Sequence, residues 1–141
     1  MEMPYSKFYE ENCLGGYMIC TIYLNPEYAA HLPDMEDFYL EQHKQVWKVM
    51  LDLNKRGIEP WENPVKDELQ RIGKLEWAGG RDFIHHLVYC ALSQPGERGW
   101  DPSYATLIIH SYRLRRELLA RAIAMAEQAL DFSKGFQVTH D

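Results

Sequence analysis

Positive charge is in short supply in this sequence. Fifteen Lys and Arg stand against 21 Asp and Glu, a formal net charge of −6. Bulk electrostatics therefore give no support to a stand-alone binder of a phosphate backbone, and no direct nucleic-acid contact is expected. Cysteine is scarce as well. Cys13, Cys20 and Cys90 show no C-x-x-C spacing, and their odd number argues against a disulfide framework. No run of about 18 apolar residues occurs, which excludes a spanning helix. The opening MEMPYSKFYEEN has neither a basic n-region nor an apolar h-region, so no signal peptide is visible and no membrane association is expected. A soluble, cytoplasmic chain is the expectation.

The sequence also lacks the common catalytic signatures. There is no G-x-x-x-x-G-K-[ST] loop to cradle nucleotide phosphates, no G-x-G-x-x-G fingerprint and no H-E-x-x-H pair. Neither a cofactor nor a metal is expected, and no nucleophile–base–orienter set is visible that would make the chain an enzyme. His85 and His86 are adjacent, so they leave a helix on different faces and cannot both ligate one ion from it. One is expected at the surface and one against the core. His43 reads as a packing or hydrogen-bonding residue. Cys13 and Cys90 have no evident activating base and read as structural thiols.

What is present is ordinary globular material: 141 residues, 46% hydrophobic and 26% charged, enough for one domain with its own core. Charge is uneven along it. Residues 1–70 carry 13 acidic and 6 basic side chains, whereas residues 71–141 carry 8 and 9. That asymmetry suits protein partners better than a phosphate backbone.

The punctuation is helical almost throughout. Ser6 can cap a helix to about Cys20 that buries Phe8, Leu14, Tyr17 and Met18, with the run Tyr17–Leu24 continuous with it. Gly15 and Gly16 inside that helix cost up to about 1 kcal/mol each relative to alanine, so another backbone is expected to pack closely there. Asn25-Pro26 opens a turn or short helix to about His31. Phe38, Gln42, Val46, Trp47, Met50 and Leu53 then recur at helical spacing, and Lys55-Arg56-Gly57 closes the helix. Asn63-Pro64 reads as a cap and first helical residue, with Gly73 as the stop. Ala78-Gly79-Gly80 turns the chain into a helix striped by Phe83, Ile84, Leu87, Val88 and Ala91.

After a polar loop from Ser93 to Trp100, Asp101-Pro102 starts the longest helix, to about Asp131. Tyr104, Leu107, Ile108, Ser111, Leu114, Leu118, Ala122, Met125 and Ala129 repeat along it for roughly 45 Å at 1.5 Å per residue. Tyr104 to Leu114 is expected to pack on the globular head. The alanine-rich stretch Ala120–Leu130 is expected to extend beyond it and offer Ala122, Met125, Ala126 and Ala129 to a second copy. Arg113, Arg115, Arg116 and Arg121 are either a solvated face, with Glu117–Arg121 as an i,i+4 pair, or contacts to an acidic partner surface. The fold expected is all-α: one compact helical bundle spanning 1–141, with a long protruding C-terminal helix and a tail at 132–141.

The order of these elements resembles the N-terminal domain of the bacterial replicative DNA helicase, the DnaB family, over roughly Phe8 to Ala129. The residues that carry the resemblance are Glu11 to Gly16 (ENCLGG, similar to the family's opening E-x-x-x-L-G) and Asp37-Phe38-Tyr39 followed by His43. Leu69 to Gly80 (LQRIGKLEWAGG, like L-x-x-x-G-x-L-x-x-x-G-G) and Tyr104-Ala105, opening the helix with Arg115-Arg116, complete the set. Leu14, Gly15, Gly16, Phe38, Gly79 and Gly80 are its structural points. The resemblance implies a non-catalytic collar whose copies pair into dimers, with three dimers in a ring that docks the C-terminal domain of primase. ATP and Mg would then belong to a separate ATPase domain.

This sequence departs from the family pattern at IEPWENPVKDEL and SQPGERGWDPS. The family's second hairpin helix would follow the long one, where this sequence ends in DFSKGFQVTHD, so a weaker hairpin dimer is expected. Either the chain is a piece of a helicase, or it is a stand-alone regulator that mimics this domain and binds helicase or primase.

Overall fold

The computed structural model describes residues 2–25, 27, 31–93 and 102–140, with side chains through 131. The described residues form six α-helices and two short 3-10 turns, with no strand among them. Helix α1 (Lys7–Ile19) starts where expected, with the Ser6 hydroxyl accepting the Tyr9 N–H at 3.2 Å. Every residue from Glu10 to Met18 is buried, because α1 is the central helix, packed by α2 (Glu41–Lys55), α5 (Gly80–Leu92) and α6 (Ser103–His140). Phe8 departs from expectation: it sits in the first turn, half exposed and edge-on to Tyr9. The helix also ends earlier than the run Tyr17–Leu24 implies. Cys20 leaves helical geometry (φ −133°, ψ 70°) and a 3-10 turn, Thr21–Leu24, follows. The β-branched cluster Ile19, Thr21 and Ile22 lowers helix propensity at that point. The turn expected between Asn25 and His31 falls mostly outside the described residues, as does the loop from Ser93 to Trp100.

A second 3-10 turn, Met35–Asp37, leads into α2. Phe38 precedes that helix and is buried against Trp47, whose indole N–H donates to the Pro33 carbonyl at 3.0 Å. Helix α2 stops as its glycine signal predicts. Gly57 takes φ +77°, its N–H donates to Asn54 O, and the Ile58 N–H reaches back to Leu53 O. Gly73 ends α3 (Glu62–Arg71) in the same manner. That helix begins at Glu62, so Pro64 is its third residue rather than its first. Proline is tolerated there because first-turn N–H groups have no intrahelical acceptor. A one-turn helix, α4 (Leu75–Ala78), was not signalled by any periodicity. It leads to Gly79 (φ +122°) and Gly80 (φ +84°), which turn the chain into α5 as expected.

The core is one cluster built from Leu14, Tyr17, Met18, Phe38, Trp47, Met50, Leu69, Ile84, Leu87 and Ile109, among others. Helix α6 is 38 residues long and continues to His140, past the boundary near Asp131 that the sequence suggested for a tail. One glycine at 135 costs about 1 kcal/mol, too little to stop a helix already propagating.

Candidate assembly interface

The first turns of α6 are fixed by apolar packing and a buried polar knot. Ala105, Thr106 and Ile109 are buried. The Thr106 hydroxyl lies 3.0 Å from the Tyr17 hydroxyl and 3.5 Å from Cys13 Sγ, and donates to Pro102 O at 2.9 Å. Burial pushes the Cys13 thiol from its ordinary 9.0 to about 12, with the Thr106 bond pulling the other way. The thiol is therefore inert in the fold. At pH 8, Cys13 should resist an aromatic disulfide reagent until urea unfolds the chain, as read by peptide mass. The sign of the linkage follows: between about pH 9 and 12 the unfolded chain loses this proton while the folded chain keeps it. Stability should fall with rising pH across that window.

Beyond Ile109 the contact becomes ionic. His110 Nδ1 is 2.9 Å from Asp37 Oδ1. Arg113 donates to Asp37 Oδ1 at 3.3 Å, to Asp34 Oδ2 at 3.1 Å and, through Nε, to Glu117 at 3.0 Å. Glu117, with Asp37 and Asp34, holds the Arg113 guanidinium further above its usual value. Arg116 donates to the carbonyls of Pro4, Glu36 and Asp37 at 3.1–3.2 Å and lies 5.3 Å from the Tyr39 ring centre. Asp37, whose side chain is 4% exposed, is thus the receptor for the helix. Its other oxygen accepts the Asp34 N–H at 2.8 Å. Two of the four candidate arginines, Arg113 and Arg116, are therefore spent within the chain. Glu117 pairs with Arg113 rather than with Arg121.

The opposite face of α6 is bare. Tyr104, Leu107, Leu114, Leu118 and Met125 are 52–69% exposed, and Ser111, Ala122, Ala126 and Ala129 are exposed with them. At 100° per residue, the stripe from Tyr104 through Ala129 falls within an arc of about 80° (about 120° with Ala126), roughly opposite the docked residues Ile109, Arg113 and Arg116. The segment Tyr104–Leu114 packs on the head as expected, but through one face: Tyr104 meets the Tyr9 ring edge-on, 5.9 Å between ring centres, while Leu107 and Leu114 remain exposed. The head takes the smaller Ala105 and Thr106 together with Ile109. Arg115, over the Tyr112 ring at 4.8 Å, and Arg121 flank the bare stripe on its two sides. The spacing 104, 107, 111, 114, 118, 122, 125, 129 is that of a helix–helix seam.

Elsewhere the structure adds two acids that spacing did not single out. Glu10 of α1, 1% exposed, accepts the backbone N–H groups of Tyr39 and Leu40 at 2.9 and 3.4 Å and meets His43 Nδ1 at 2.8 Å. Leu40 is the N-cap of α2, so a carboxylate from another helix supplies the missing cap. His43 is buried and stacks on Phe83, in keeping with its packing role. The other acid is Asp37. His85 and His86 are both exposed, the first beside Glu62 and the second beside Glu11, so neither lies against the core. Cys90 is 3.3 Å from His86 Nε2, and burial together with the Glu11 charge raises its pKa, the opposite of nucleophile activation. Among the described residues no three His, Cys, Asp or Glu side chains are placed to hold a metal, and no helix is long and apolar enough to cross a membrane.

Comparison with known proteins gives a consistent picture. The family model described as DnaB-like helicase N terminal domain matches residues 2–95. The Replicative DNA helicase DnaB of Leifsonia xyli subsp. xyli (strain CTCB07) is 28% identical over 116 residues, 80% of this chain. The chain spans 23% of that relative's length. The crystal structure of the N-terminal domain of DnaB helicase from Mycobacterium tuberculosis superposes with a TM-score of 0.78 at 24% identity, over 92% of this chain and 85% of that one.

Proposed function

From the membership of this chain in the DnaB-like helicase N-terminal domain family, we propose that it is a non-catalytic assembly module serving a replicative helicase in DNA replication in the cytoplasm. In this reading the module joins copies of itself and docks the C-terminal domain of primase. It needs no cofactor of its own; ATP and Mg would act at a separate ATPase domain.

The observation that carries the assembly half is the bare stripe on α6. Exposed apolar patches of this extent mark association sites, and here the patch lies on a single helix face backed by ionic bonds to the head. A second copy can cover it without disturbing the core. Arg115 and Arg121, at its borders, are the cations left for an acidic partner surface, which supports the primase half together with the family resemblance.

Sedimentation velocity across a hundredfold concentration range tests the assembly half. The wild type should shift from monomer toward dimer. Leu118→Glu or Ala126→Glu should weaken that association at least tenfold, about 1.4 kcal/mol, while leaving circular dichroism unchanged because both positions are exposed. A wild type monomeric at every concentration would sink the self-assembly reading. For the primase half, Arg115→Glu with Arg121→Glu should abolish capture of an isolated primase C-terminal domain; undiminished capture would remove those arginines from the contact.

A further inference from the structure

The long helix meets the head in two chemically different zones. Ala105, Thr106 and Ile109 anchor its first two turns in the core. The next two turns meet the head chiefly through polar bonds: His110 and Arg113 on the Asp37 carboxylate, Arg113 also on Asp34, and Arg116 on the carbonyls of Pro4, Glu36 and Asp37 and over the Tyr39 ring. Past Glu117 nearly every described side chain of α6 is exposed. The apolar anchor is short, about 6 Å of helix from residue 105 to 109, and sets position more firmly than direction. Direction is set where the second support stands, and the buried Asp37 carboxylate joins two residues of the helix there, His110 and Arg113, one turn apart.

We propose that Asp37 is the positioning residue of α6: its buried carboxylate fixes the angle at which the helix leaves the head, and with it the angle at which the bare stripe is presented. The angular claim stands on intramolecular geometry alone; its consequence for a partner rests on the assembly reading above. The carboxylate suits this task because its bonds are directional and it is nearly excluded from water, where charge-assisted hydrogen bonds are strong. Asp34, which shares Arg113, is exposed and therefore a weaker second support.

The test is the distance between nitroxides at Lys48→Cys on α2 and Gln128→Cys on α6, both exposed positions. It uses the whole chain with Cys20→Ser and Cys90→Ser, spin-diluted with unlabelled protein so that only distances within one molecule are read. With Asp37 intact a single narrow distribution is expected. Asp37→Ala should at least double its width while helicity by circular dichroism is retained, and Asp37→Asn should fall between. Arg113→Ala, which removes a partly exposed partner, should broaden it too. Adding Arg113→Ala to Asp37→Ala should broaden it by less than the sum of the two single effects, because the Arg113–Asp37 bond is common to both and only the exposed Asp34 bond to the head is newly lost. Arg121→Ala, off the docked face, should leave the distribution narrow. A narrow, unmoved distribution in Asp37→Ala overturns the proposal. If that variant fails to fold, Arg113→Ala decides in its place, and an unchanged width there overturns it as well. Loss of dimerisation in the wild type with a narrow intramolecular distance would refute assembly and leave the positioning role standing.

Discussion

Gly15→Leu should prevent the domain from folding, and Gly15→Ala should lower its melting temperature by about 10 °C. A Cβ built on Gly15 would lie 1.9 Å from the Leu87 carbonyl oxygen, 2.7 Å from its carbon and 3.1 Å from Ala91 Cβ. The obstacle is the backbone of α5, which cannot swing aside as a side-chain end can. Alanine would gain up to about 1 kcal/mol of helix propensity, but relief of the clash requires α1 and α5 to separate along their whole contact. Overpacking of this kind costs about 1–3 kcal/mol even where neighbours can yield, so the upper end is expected for alanine and more for leucine. Each kilocalorie moves the midpoint by a few degrees in a chain of this length. Gly57→Ala is the comparison: nothing lies within 4 Å of its Cβ, and the expected loss, about 1 kcal/mol, comes from φ +77° alone. Calorimetry that finds Gly15→Ala neutral or stabilising would show that the two helices have room to part.

Glu10→Ala should lower the free energy of unfolding in urea by about 3 kcal/mol, the range for removing one partner of a buried, hydrogen-bonded pair. The substitution strips the N-terminus of α2 of its cap, leaves the Tyr39 and Leu40 N–H groups without this acceptor, and leaves His43 facing a cavity. Glu10→Gln keeps the shape and one acceptor oxygen. It should therefore lose about half as much, its new amide N–H₂ facing donors where the carboxylate accepted them. Equal losses for the two variants would mean that charge, not hydrogen-bond number, holds this junction. A loss below about 1 kcal/mol for alanine would mean that water replaces the carboxylate without penalty.

These two positions also separate what the sequence makes legible from what it hides. Gly15 stood out because a glycine in mid-helix is expensive without a close neighbour. Gly57 and Gly73 announced their helix ends because only glycine adopts positive φ cheaply. Such signals are local, written in the residue and its few neighbours. Glu10 gave none, and Asp37 was marked by the family resemblance alone, with no local sign that it would be buried. An acid in a helical segment reads as solvated surface, and what buries these two is chain 29 to 76 residues away. The same limit governed α6. Periodicity located its apolar stripe correctly but carries no label for what should cover it. For Leu107 and Leu114 the expected cover was the head, which instead binds the other side of the helix through Thr106, Ile109, Arg113 and Arg116. The one-turn helix Leu75–Ala78 was too short for any period to register.

The length of α6 turns small errors into large ones. From residue 118 to His140 the helix runs 23 residues beyond its last ionic support near Glu117, roughly 35 Å at 1.5 Å per residue. Each degree of tilt at the socket therefore carries the far end about 0.6 Å sideways, and five degrees carry it about 3 Å, more than half a helical turn's rise. A seam of interdigitating side chains tolerates far less than that before it loses its register. Two copies meeting along such a lever can join in register only if the fulcrum in each is stiff, and stiffness at that point comes from a handful of hydrogen bonds to one short turn, its leading Asp34 and the Pro4 carbonyl.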